Sequence, residues 1–135
     1  MIYGIGCDLC ETARMAKSLS GPHGGTFAAR VFGPAERQAL GFAEGVPASL
    51  SAHRAASAAA DFAAKEAFLK AAGTGLAGPF SLCDIEAVRL ESGAPEYRFS
   101  GASARWMAEH HLRAKLSLSH DGGMALAFCI LETET

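Results

Sequence analysis

The chain of 135 residues is poor in aromatics, with a single tryptophan, two tyrosines and eight phenylalanines, and it has no large excess of either charge. Twelve basic against fourteen acidic residues give a formal net charge of -2. Bulk binding to nucleic acid is therefore not expected, and any acidic partner must be met by a local basic patch. No run of ~18 apolar residues occurs, so no membrane span is expected. The start, MIYGIGCDLCE, has no charged leader and reaches Asp8 too early for a signal peptide. A cytoplasmic chain is expected, in which Cys7, Cys10, Cys83 and Cys129 stay reduced.

Several common site signatures are missing too. GIGCDL begins like a dinucleotide glycine motif but has Leu9 where the third glycine belongs. There is no GK-S/T phosphate loop. Cys7 and Cys10 form a C-x-x-C with no second pair to complete a zinc site. Glu109-His110-His111 lacks the spacing of a metalloprotease helix.

What is present fits one compact domain over residues 1–135, able to bury roughly 65–70% of its unfolded surface. It is small for an enzyme that works alone, so a site shared between copies is expected. MIYGIGCDL reads as a buried first strand with Ile2, Gly4, Gly6 and Asp8 on one face, left bare by its two glycines. Short helices follow over ETARMAKSL, TFAARVF and GPAERQALGFA. A long alanine-rich helix, capped by Ser49 or Ser51, stops at Gly73. SLCDIEAVRLES and EYRFSG read as a hairpin turned at GAP, ASARWMAEHHL as a helix, and AKLSLSH-DGG-MALAFCILE as a closing strand–turn–strand. The fold class is α+β, a small mostly antiparallel sheet packed against one long helix.

Three groups of residues carry chemical promise. On the long helix Glu66, Lys70 and Gly73 differ by four and three residues, so they share a stripe. An exposed Glu–Lys pair worth ~0.4 kcal/mol would look the same. The second glycine of Gly73-Thr74-Gly75 argues for more, because a helix stop needs only one and a further glycine lets a ligand approach the backbone. Asp8, behind two glycines, is either a turn residue or a hard-cation ligand. Magnesium takes one or two protein carboxylates and fills its shell with phosphate and water. Asp8 and Glu66 would supply such a pair, with Glu11 a third carboxylate or a helix-start residue. Ser119, His120 and Asp121 are adjacent, but neighbours on a strand point to opposite faces, so they do not form a hydrolase triad. His120 shares a face with Leu116 and Leu118, either facing a pocket or as a structural hydrogen-bonder.

In order along the chain, GIGCDLCETARM, FAAKEAFLKAAGTG and LSLSHDGG resemble the holo-acyl-carrier-protein synthase group of phosphopantetheinyl transferases. The family patterns are an early G-x-D-x-x-E-x-x-R, a central W/F-x-x-K-E-A-x-x-K-A-x-G-T-G and a late S-x-S-H. The resemblance implies transfer of the phosphopantetheine arm of coenzyme A to a serine of apo acyl carrier protein, with magnesium, giving adenosine bisphosphate. It puts the metal ligands at Asp8 and Glu66 and the phosphate-binding lysine at Lys70. Gly73, Thr74 and Gly75 fall at the adenine turn, and Ser119 and His120 at a loop that meets the nucleotide. Arg14 matches the arginine that meets the carrier, and Lys17 and Arg30 are candidate helpers or ordinary surface. Compact members are homotrimers with sites between subunits. The serine proton would pass to Glu66 or to a metal-bound water or hydroxide. Departures are Asp61 where a basic residue is usual, Ala94 in place of the hairpin lysine, and only His53 and Arg54 as basic residues from Glu44 to Ser57. A metal-dependent phosphohydrolase and a non-catalytic coenzyme A or carrier-binding module are the rival readings.

Overall fold

A computed structural model describes residues 1–75 and 78–134. Its elements run β1 (Ile2–Glu11), α1 (Thr12–Ser20), α2 (Gly24–Val31), α3 (Pro34–Leu40), α4 (Ala52–Ala72), a 3-10 turn (Leu82–Asp84), β2 (Ile85–Arg89), β3 (Pro95–Phe99), α5 (Gly101–Glu109), β4 (Leu112–Asp121) and β5 (Met124–Thr133). Every pairing is antiparallel, in a three-stranded sheet ordered β1-β5-β4 and a separate β2-β3 hairpin. Gly122 and Gly123, at φ 56° and 76°, turn β4 into β5. The expected α+β architecture is present, with two small sheets where one was read from the sequence.

The 21-residue α4 is the axis of the core. Ser51 caps it by accepting from the Arg54 amide at 3.1 Å, and Gly73 ends it in the left-handed region at φ 81°. Ala58, Ala59, Ala60, Ala63, Ala64 and Ala67 are fully buried. Their small side chains let neighbours approach on nearly every side, so the helix lacks a wet face along most of its length. Around its second half Phe68 meets Phe80, Tyr97, Phe99 and Trp106 at ring separations of 4.8–6.2 Å.

The glycines of β1 have a purpose the sequence alone did not reveal. A Cβ on Gly6 would lie 1.9 Å from the carbonyl oxygen of Ala67, and one on Gly4 2.0 Å from that of Ala71. The face read as bare is the seat of α4. The opposite face of β1 corrects the expectation of a buried strand: Tyr3, Ile5 and Leu9 are exposed, as are Phe128 on β5 and Ile2, which a register shift separates from Gly4. All four cysteines are free thiols. Among the described residues no helix is long and apolar enough to cross a membrane.

Candidate active site

The close seat of α4 on β1 brings together residues far apart in sequence. Asp8 continues the inward row of Gly4 and Gly6 near the end of β1. Glu66 and Lys70 lie one turn apart on α4. Lys70 Nζ donates to Asp8 Oδ1 at 3.1 Å and to the Cys7 carbonyl at 2.9 Å. It pairs with Asp8, not with Glu66, so the local Glu–Lys pair allowed by the spacing does not form. Hydrogen bonding to Asp8 raises the Lys70 ammonium above its ordinary value. Burial, and then the negative charge of Asp8, push the Glu66 carboxyl up, while Lys70 pulls it down.

Asp8, Glu66, Glu11 and Arg14 line one cavity of about 560 Å³ with Met15, Phe27 and Phe62. A second, apolar cavity of about 850 Å³ lies beside it, between α2 and the 3-10 turn. Arg30, Val31 and Leu82 line it, and Phe27, Phe62 and Glu66 belong to both. Glu66 thus stands where a charged cleft meets an apolar one. Nothing in the sequence pattern marked Phe27 or the 3-10 turn as walls of this site, because they meet only through the packing of α2 on that turn.

Arg14 sits on exposed α1 at the edge of the smaller cavity, Lys17 one turn further on the surface, and Arg30 at the edge of the larger one. Gly73 and Gly75 both have positive φ, at 81° and 66°, and a Cβ on either would meet nothing within 4 Å. The amides of Gly73, Thr74 and Gly75 all approach the Leu69 carbonyl, at 3.0, 3.2 and 3.4 Å. This turn is therefore open and also conformationally demanding. Ser119 and His120 are exposed at the end of β4, paired with Leu126 and Ala125. They are on a strand, and within one chain they make no bond to Asp8, Glu66 or Lys70 among the described residues. His120 lies two strands from β1, opposite Cys10 across Ala125.

Glu11 is exposed and makes no capping bond to α1. Among the described residues no three His, Cys, Asp or Glu side chains gather as a metal cluster. Asp8 and Glu66 are two carboxylates on the wall of one cavity. Such a pair would suit a hard divalent cation of low protein ligand number, since two carboxylates that repel each other gain from one.

Asp61, which stands where the family pattern usually has a basic residue, does not lie at a free surface. It is buried and pairs with Arg89 on β2 at 3.3 Å. Burial, and then the charge of Glu36, raise its carboxyl to about 7, against the pull of Arg89. The folded value lies above the ordinary 3.8, so the stability from the protonated form is present below that value and is lost as pH rises towards 7. Melting curves for Asp61→Asn and the wild type at pH 5 and pH 8 check this. The variant should gain relative stability on going to pH 8, by on the order of 2 kcal/mol. An unchanged difference would mean that Asp61 stays ionised throughout.

Comparison with known proteins gives the family of the chain and its fold. A model of the 4'-phosphopantetheinyl transferase superfamily matches residues 4–129. The chain is 38% identical over 134 residues to a holo-(acyl-carrier-protein) synthase of Leptothrix cholodnii, covering 99% of this chain and 98% of that one. Among solved structures it resembles the holo-(acyl-carrier-protein) synthase of Neisseria meningitidis, with a TM-score of 0.79 and 35% identity over 98% of this chain and all of that one. It also resembles the Bacillus anthracis enzyme in complex with coenzyme A (3',5'-ADP), with a TM-score of 0.78 and 30% identity over 99% of both chains.

Proposed function

The chain belongs to the 4'-phosphopantetheinyl transferase superfamily, and from that premise we propose that it is a holo-(acyl-carrier-protein) synthase. It moves the phosphopantetheine arm of coenzyme A to a serine hydroxyl of apo acyl carrier protein. The serine oxygen attacks the phosphorus that carries the arm, the bond from that phosphorus to the bridging oxygen breaks, and adenosine 3',5'-bisphosphate leaves. The observation that carries the reading is the docking of the Glu66–Lys70 stripe on Asp8, at the junction of a charged and an apolar cavity.

Asp8 and Glu66 would hold a magnesium ion, which when bound supplies charge neutralisation to the phosphate oxygens. Lys70, held by Asp8 and the Cys7 carbonyl but with a side chain 54% exposed, would offer its ammonium to the charge that develops on the leaving phosphate. Glu66 is a carboxylate of this chain in reach of the cavity and able to accept the serine proton. The open, positive-φ backbone of Gly73–Gly75 gives an adenine room to rest. Arg14 and Arg30 line the two cavities and Lys17 is exposed one turn from Arg14 on α1, a basic surface that suits an acidic carrier, whose approach it would steer.

The exposed sheet face of Ile2, Tyr3, Ile5, Leu9 and Phe128 supports a homotrimer with sites between subunits. In that assembly Ser119 and His120 serve a neighbouring copy's nucleotide. Phe128→Asp should therefore give a species of one chain's mass by light scattering and lose transfer. A variant of unchanged mass and activity would remove this face from the assembly.

The reaction itself is tested by intact mass. The protein, apo acyl carrier protein, coenzyme A and magnesium should give a carrier heavier by one phosphopantetheine, and a chelator should prevent it. Coenzyme A consumed without any gain on the carrier would mean a phosphohydrolase. Neither gain nor consumption would leave a binding module.

A further inference from the structure

Lys65 has no part in the chemistry above, yet its ammonium is fully buried and it precedes Glu66 directly. Its Nζ donates to the carboxylate of Glu36, to the Ile85 carbonyl at 2.6 Å and to the Leu82 carbonyl at 3.1 Å. Glu36 in turn accepts from the amides of Gly33 and Ala87, each at 3.0 Å. On the preceding residue, the Tyr97 hydroxyl donates to the Ala64 carbonyl at 2.6 Å. Helix α3, the 3-10 turn, β2 and β3 thus all hold α4 at residues 64 and 65. From the other side β1 meets it through backbone at Ala67 and Ala71, and through the half-exposed Lys70 side chain, which bonds Asp8 and the Cys7 carbonyl.

These two grips do different things. Glycine against a helix carbonyl sets how closely strand and helix approach. It does little to fix the rotation of the helix about its own axis. Side-chain bonds on Lys65 do fix it. A helix turns about 100° per residue, so the direction of Lys65 dictates that of Glu66 and, one turn on, of Lys70. Stability gives no strong reason to keep such a group, because a buried ion pair replaced by apolar residues of similar size is often neutral or better.

We propose that Lys65, anchored by Glu36 and backed by Tyr97, is a positioning residue that fixes the rotation of α4 and so presents Glu66 to Asp8. The inference rests on reading Asp8–Glu66 as the divalent-cation site of the transferase. The same bonds hold the Leu82 carbonyl, next to Cys83 on the wall of the larger cavity that Glu66 shares.

The test compares the wild type with a Glu36→Leu/Lys65→Met double variant, which removes both charges at once, and with Tyr97→Phe. Thermal melting reports folding, and steady-state kinetics give kcat and KM for coenzyme A. Electron paramagnetic resonance reads the affinity for Mn2+, used as the probe ion. The double variant should fold, keep KM within about threefold, and lose at least about 10-fold in both kcat and Mn2+ affinity, as a displaced ligand predicts. A folded double variant with wild-type kcat, or with unchanged Mn2+ affinity, overturns the proposal. Should that variant not fold, Tyr97→Phe decides, since it deletes one hydroxyl. A drop of about threefold or more in both quantities supports positioning, and no change in either overturns it. A wild type that binds no Mn2+ would refute the cation-site reading itself, an outcome distinct from loss in the variants alone.

Discussion

Glu66→Gln is expected to lower kcat/KM for transfer by roughly 10³-fold while leaving the melting temperature, measured without divalent cation, equal to or above that of the wild type. The two effects have one cause. Burial and the Asp8 charge raise the Glu66 carboxyl, so the folded protein disfavours its ionised form. The stability from the protonated form is present below the ordinary glutamate value and is lost as pH rises through the raised one. At neutral pH the wild type carries that penalty and a glutamine does not. The same repulsion makes the pair a good cation site, and glutamine forfeits it. Melting curves with and without magnesium, beside the intact-mass assay, check both halves. A variant that is inactive because it is less stable without the ion would contradict this account, and an active one would remove Glu66 from the chemistry.

Gly6→Ala should be costly far beyond the size of a methyl group. The added Cβ would lie 1.9 Å from the Ala67 carbonyl oxygen and 2.8 Å from the Ala71 nitrogen, both helix backbone. Backbone cannot swing aside as a flexible side chain can, so β1 and α4 must separate. A loss of about 3 kcal/mol follows from such overpacking, or roughly 10 °C in melting temperature for a chain of this length. Separation also moves Asp8, two residues along the same face, away from Glu66. A displacement near 1 Å costs about 10²-fold in rate. Gly25→Ala is the control, since a Cβ there meets nothing within 4 Å. Equal melting temperatures and rates for Gly6→Ala and the wild type would refute the close-seat account.

Local order was readable where the physics is local. The helix over α4, its Gly73 end, a serine cap at Ser49 or Ser51 of which the structure uses Ser51, and the shared stripe of Glu66 and Lys70 follow from the 3.6-residue repeat and capping chemistry. The three motifs that carry the family resemblance are contiguous runs, and the match over residues 4–129 agrees with them. The β4–β5 hairpin was visible in its period-two strands and glycine pair.

Other features required the chain to fold back on itself. Gly4 and Gly6 appeared to leave a bare face, because a strand pattern does not say what lies against it. Lys70 belongs to Asp8, a residue 62 positions earlier, in preference to its helical neighbour Glu66. Asp61 read only as a departure from a motif and is an internal partner of Arg89, since β2 crosses α4 at that point. Lys65 read as one letter of a motif, and its burial against Glu36 appears only once α3 and the hairpin close over the helix. The sequence by itself determined which groups are one turn or one strand step apart, through backbone periodicity. Only the tertiary structure decided which meet across elements, because charge pairing and burial depend on what packs against each face.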